Sequence, residues 1–238
     1  MKYSENVRLG CDTGEAADAL GRQREAQLLE FVQVVYIACG GHAGDAESMS
    51  NAISLAKHQG CCIGAHPSYP DREGFGRREV QISRSELLES IRSQLSVFAS
   101  IASELDTSVL HLKPHGALYH RVSTDQDLAL RLGELMGEMF PRAAVVLPAG
   151  APVISALRDR SISVLREAFC DRAYESDGTL RPRSRHGSVI RDPLLAADQA
   201  ERLINEVGCD LLCVHSDTPD AVEIARAVSQ RLDRLVGD

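Results

Sequence analysis

The sequence has no excess of positive charge: 26 Lys and Arg stand against 34 Asp and Glu, for a net charge of −8 and a pI near 5.5. Phosphate backbones are bound through clustered Lys and Arg, and no long basic cluster is present, which argues against nucleic acid as a partner. Long apolar runs are missing as well. The longest, about a dozen residues from Ala143 to Ile154, is interrupted by Pro148 and Pro152 and falls short of the ~20 residues that span a bilayer. Met1 to Gly10 has no apolar leader core. The expectation is a cytoplasmic protein with no membrane partner. Cys-x-x-Cys is absent, and the seven cysteines are an odd number lying mostly in apolar runs, which reads as reduced, buried thiols. There is no Walker phosphate loop, no Gly-x-Ser-x-Gly elbow and no Gly-x-Gly-x-x-Gly after the first strand. Any nucleotide used in the reaction is therefore not held by a Walker loop of this chain.

What remains is an ordinary globular composition, 44% apolar, 25% charged and only 4% aromatic. A chain of 238 residues buries roughly 70–75% of its unfolded surface and needs no staple to hold a core. Short apolar runs alternate with stretches of helical periodicity, the pattern of an α/β fold with a parallel sheet. Strands are expected at Val7 to Cys11, Val34 to Cys39, Cys61 to Ala65, Val109 to Lys113, Ala144 to Leu147, Ser163 to Ala168 and Leu211 to Val214. Several are continuously apolar, as strands covered on both faces are. Asp45 caps a helix carrying Met49, Ala52, Ile53 and Ala56, with Gly60 to end it. Ser83 and Glu86 have capping-box spacing ahead of Leu87, Ile91, Leu95 and Phe98. Further apolar stripes run from Asp125 to Met139 and, after Pro219, through Val222, Ala225, Val228 and Leu232. About seven strand-plus-helix units fit an incomplete (β/α) barrel, one domain over residues 1–238, better than an open dinucleotide-binding sheet.

Unusual polar residues come directly after the strands, where parallel α/β folds place their sites. Asp12 and Glu15 follow the first, His42 and Asp45 the second, His66 the third, Asp171 and Arg172 the sixth, and His215 and Asp217 the seventh. In His111-Leu-Lys113-Pro-His115 the strand period of two puts three basic side chains on one side, which calls for Asp12, Glu15, Asp171 and Asp217 as counter-charges. Two chemistries suit these residues. Asp12, His66 and His115, with His42 nearby, could hold a divalent metal and lower the pKa of a bound water to about 7. Carboxylates, histidines and Lys113 without metal could do acid/base work on a small amide. The residues alone do not choose between them. The long loop from Pro67 to Arg78 reads as a lid whose Arg77 or Arg78 could grip an anion. The stretch from Asp171 to His186 reads as a second lid, made locally positive by Arg172, Arg181, Arg183 and Arg185.

The motifs Cys11-Asp-Thr-Gly-Glu15, Ile37-Ala-Cys-Gly-Gly-His-Ala-Gly-Asp45, Ile63-Gly-Ala-His-Pro-Ser-Tyr-Pro-Asp71, Gly74-Phe-Gly-Arg-Arg78, Lys113-Pro-His-Gly-Ala-Leu-Tyr119, Phe169-Cys-Asp-Arg-Ala-Tyr174 and Val214-His-Ser-Asp-Thr-Pro219 together resemble the LamB/YcsF family over nearly the whole chain. The resemblance implies a seven-stranded (β/α) barrel similar to polysaccharide deacetylases and related glycosidases. It implies an A-subunit role in the ATP-dependent hydrolysis of 5-oxoproline to glutamate, with partner subunits B and C, and leaves a homo-oligomer open. Under it an arginine holds the substrate carboxylate, Asp12 or Glu15 with a histidine activates water, and Lys113 meets developing negative charge. The rival readings are a metal-dependent deacetylase or amidohydrolase working alone, and a catalytically weak subunit that docks partners. The chain departs from the family pattern at Arg8 and Gly10, where an Asp and an Asn are usual, at Tyr36, where a second Asn is usual, and at Ser216, where Gly is usual. Losing two amides leaves any site built on their hydrogen bonds short of partners.

Overall fold

Seven parallel strands close on themselves in sequence order, with the last strand paired to the first. They are β1 (Arg8–Thr13), β2 (Val34–Ala38), β3 (Cys62–His66), β4 (Val109–Leu112), β5 (Ala144–Pro148), β6 (Val164–Phe169) and β7 (Leu211–Val214). Around them run α1 (Ala19–Leu28), α2 (Ala46–His58), α3 (Arg84–Glu104), α4 (Gly116–Thr124), α5 (Gln126–Met139), α6 (Ile154–Asp159), α7 (Pro193–Glu206) and α8 (Ala221–Gly237). This is a (β/α)7 barrel. The structure, a computed structural model, describes residues 7–237, so most of the Met1 to Gly10 stretch lies outside the described residues.

Alternation along each strand separates two apolar layers. Leu9, Cys11, Val35, Ile37, Ile63, Ala65, Leu112, Val145, Leu147, Leu212 and Val214 join the large core under the helices. Val34, Tyr36, Val146 and Leu211, with Cys62 and Leu165 against them, form a separate inner cluster. The cysteines are free thiols, all buried except the half-buried Cys62. The expected caps are present: Asp45 accepts from Ser48 N, Ser83 and Glu86 form a capping box, and Gly60 takes the positive φ that follows α2. No described helix is long and apolar enough to cross a membrane.

Candidate active site

Asp12 ends the inward face of β1, and the loop behind it is held by a helix residue. Glu25 of α1, buried, accepts from the backbone N–H groups of Gly14 (3.0 Å), Glu15 (3.1 Å) and Ala16 (3.0 Å) and from Thr13 Oγ1 (3.3 Å). That clamp presents the Glu15 carboxylate to the barrel mouth, where Oε1 lies 2.8 Å from His42 Nε2, 3.3 Å from His115 Nδ1 and 3.7 Å from His66 Nε2. Glu15, His42, His66 and His115 each offer a metal-ligating atom within 4.8 Å of the others. Burial, with the Asp12 charge adding to it, pushes the Glu15 carboxyl up to about 8. Burial, reinforced by the neighbouring histidines, pushes His115 well down and His42 down to about 2.

Below this cluster Lys113 fills the barrel axis. Its ammonium donates to Asp12 Oδ1 (2.8 Å) and Cys213 Sγ (3.3 Å) and lies 3.0 Å from Glu167 Oε1, with the Tyr36 ring centroid 4.6 Å away. An ammonium has three N–H donors; two are taken by Asp12 and Cys213, while Glu167 Oε1 is paired by charge and accepts no hydrogen bond from the protein. The side chain is 3% exposed and borders the cleft described below. Burial alone would lower the Lys113 pKa, but Asp12, Cys213 and Glu167 outweigh it and hold the group well above its usual range. For Asp12 burial works upward, yet Lys113 and His66 keep it ionised, well below the usual carboxylate range.

On the far side of the mouth Asp171, fully buried after β6, orients His215 after β7. Its carboxylate accepts from His215 Nδ1 (3.0 Å), His215 N (3.0 Å) and Thr218 Oγ1 (2.5 Å). His215 Nε2 has no protein partner among the described residues, and the ring, stacked on Phe169 at 5.0 Å, borders a cleft of about 750 Å³. Asp12, His66, His115 and Arg172 line the same cleft. Arg172 is 7% exposed, donates only to the carbonyls of Ser188 (3.3 Å) and Arg181 (2.8 Å), and forms no ion pair with a described residue. Burial and then the nearby Arg183 lower its pKa.

The remaining expected residues divide. Asp217 binds Arg77 (2.5 Å) and Arg183 (3.2 Å), tying the loop after β3 and the loop after β6 to the loop after β7. Arg181 and Arg185 both pair with Glu175, so the positive patch expected between Asp171 and His186 is largely neutralised within the fold, leaving Arg172 as its unpaired member. Arg78 binds Asp71 of its own loop and does not border the cleft, which separates it from Arg77. Asp45 is occupied in capping α2 and faces a second cleft beyond the Glu15–His42 pair.

Several residues of the site went unread in the sequence. Glu167, 1% exposed, faces inward from the middle of β6, pairs with Lys113 and accepts from Tyr119 Oη at 2.8 Å. It lies inside a strand and not at its end, and its one signal in the sequence is a lone carboxylate in step with Leu165 and Phe169. Gln94 of α3 holds Ser68 through two hydrogen bonds (3.1 and 2.9 Å). Gln199 of α7 donates to the carbonyls of Phe169, Cys170 and Arg172 at 2.7–2.9 Å. The departures at Gly10 and Tyr36 prove to be neighbours. A Cβ at Gly10 would lie 3.3 Å from Tyr36 Cε2, and one at Gly64 would lie 3.0 Å from Tyr36 Cδ1, so two glycines open the slot in which the Tyr36 ring lies beneath Lys113.

Fold and site together define a (β/α)7-barrel protein with a buried carboxylate, histidine and lysine centre at the C-terminal ends of its strands. The LamB/YcsF family model matches residues 7–236, and the chain belongs to that family. It is 35% identical over 240 residues to the 5-oxoprolinase A subunit of Heliobacterium modesticaldum, covering 95% of this chain and 94% of that one. The 5-oxoprolinase A subunit of Nitrobacter hamburgensis is 36% identical over 239 residues, at 95% and 94% coverage. The crystal structure of the lactam utilization protein from Thermus thermophilus superposes with a TM-score of 0.85 at 33% identity, over 96% of each chain.

Proposed function

We propose that this chain is the A subunit of an ATP-dependent 5-oxoprolinase, a hydrolase of the cyclic amide bond that opens 5-oxo-L-proline to L-glutamate together with B and C subunits. One observation carries the reading. The Asp171–His215 pair and the unpaired Arg172 open onto one cleft, shared with Asp12 and the histidines, that suits a small amide bearing a carboxylate. A stable five-membered lactam resists water until its carbonyl carbon is made more electrophilic, which transfer of phosphate from ATP to the carbonyl oxygen does with release of ADP; water then adds to that carbon, the ring C–N bond breaks to leave an acyl phosphate, and hydrolysis of that acyl phosphate gives glutamate and free phosphate. No phosphate loop is needed in this chain if another subunit binds the nucleotide. In the cleft Arg172 pairs with the substrate carboxylate, its burial strengthening a contact that water would weaken. His215, held by Asp171 in the tautomer with Nδ1 protonated, takes a proton from attacking water at Nε2 and returns it to the ring nitrogen as the C–N bond breaks. Asp12 stays ionised against Lys113 and keeps a fixed negative charge at the mouth.

The test is glutamate release from 5-oxoproline by the purified protein mixed with B- and C-type subunits. Glutamate formed only with every subunit and ATP present is expected. No glutamate, from partners that are active with an established 5-oxoprolinase chain of the same type, would overturn the assignment of substrate.

A further inference from the structure

We propose that the barrel mouth binds one divalent transition-metal ion through His66 Nε2, His115 Nδ1 and the Glu15 carboxylate. The inference rests on the mouth being the reactive centre and adds a cofactor to it.

Hydrogen-bond accounting carries the argument. His66 Nδ1 lies 2.7 Å from the Lys113 carbonyl, and His115 Nε2 lies 2.9 Å from the Phe75 carbonyl. A carbonyl only accepts, so each ring spends its N–H there. The opposite nitrogens, His66 Nε2 and His115 Nδ1, then face one another at 3.0 Å with Asp12 Oδ2 3.5 Å from His66 Nε2, an arrangement that calls for a metal ion or a proton between the two lone pairs. Glu15 Oε1 completes the triangle at 3.3 and 3.7 Å. Donors bound at 2.0–2.1 Å around a tetrahedral ion stand about 3.3 Å apart, the mean of these edges.

The carbonyl partners are those expected behind metal-bound histidines, where they fix the tautomer and aim the ring. Phe75 holds one of them in place from a left-handed backbone (φ 53°) followed by Gly76 (φ 63°), a conformation costly for a bulky residue and thus imposed by its surroundings. His42 is excluded from the shell by geometry. Its ring stacks on His115 at 3.7 Å with the planes 3° apart, so an ion in the plane of His115 lies well out of the plane of His42. His42 Nε2 instead donates to Glu15 at 2.8 Å and orients the carboxylate. Three protein ligands leave a position for water, whose pKa such an ion lowers toward about 7, a chemistry suited to amide hydrolysis.

The full chain, purified without a histidine tag, is assayed for bound metal, then stripped with a chelator and titrated with cobalt(II). About one ion per chain is expected, with the visible absorption of four- or five-coordinate cobalt. That absorption should persist in His42→Ala and vanish in His66→Ala and His115→Ala whose circular dichroism matches the parent. No metal and no cobalt spectrum in the folded parent protein would overturn the proposal, as would loss of the ion in His42→Ala to the same degree as in His66→Ala. If a histidine variant fails to fold, anomalous scattering from cobalt-soaked parent crystals decides, and an ion away from Glu15, His66 and His115 refutes the ligand set. Because these readouts need no substrate, a bound ion without glutamate release would fail the 5-oxoprolinase reading and spare the metal centre. Glutamate release without an ion would do the reverse.

Discussion

His111 shows how a side chain in line with the site can serve the fold. The period of two that runs His111, Lys113 and His115 toward the interior was legible in the sequence, but the three have separate surroundings. His111 sits low in the barrel, where Arg8 Nη2 approaches its Nε2 at 3.5 Å and its buried Nδ1 has no partner among the described residues. Burial, with Arg8 adding to it, pushes it down to about 4 from an ordinary value of 6.5. Between those two values the unfolded chain binds a proton that the folded chain does not, so stability falls as pH drops through the window, by up to ~1.4 kcal/mol per pH unit. Urea unfolding across that range should show a shallower pH slope for His111→Gln than for the parent, and equal slopes would contradict a buried neutral ring. Lys113 was the less legible residue. Its position could be read from the pattern, whereas its pairing with Asp12, Cys213 and Glu167 depends on three other strands that only closure of the barrel brings together.

Helices in this fold hold site loops as well as covering the sheet. Glu25, Gln94 and Gln199 are buried polar residues on α1, α3 and α7, and each satisfies backbone groups of the loop after β1, β3 or β6. Apolar stripes were readable for α2, α3, α5 and α8, and caps for α2 and α3, because periodicity and end residues are local. A glutamine inside a stripe looks like an irregularity until its loop is in place, so these clamps were not read. Replacing Gln199 by leucine strands the carbonyls of Phe169, Cys170 and Arg172, and an unsatisfied buried acceptor costs about 1–3 kcal/mol. Gln199→Leu should therefore lower the urea midpoint and also reduce turnover, since the loop it releases carries Asp171. A loss of stability with unchanged turnover would show that the clamp serves the fold alone.

At the scale of the molecule, parallel closure gathers on one rim what the sequence spreads from Asp12 to Asp217. The order of strands and the placing of polar residues at their C-terminal ends could be read from alternation and motif position. The division of the rim could not. Glu15 with three histidines stands at one side, a sequestered lysine lies beneath, and Asp171, His215 and Arg172 stand at the other, an arrangement set by distances across the barrel. On the proposed function, this rim performs the proton transfers of lactam opening. The most direct measurement compares kcat for ATP-dependent glutamate release by complexes containing the parent chain or His215→Asn, with assembly verified by size-exclusion chromatography. A fall in kcat of roughly 10²–10⁴-fold with the complex intact is expected. A correctly assembled His215→Asn complex turning over at the parent rate would contradict it.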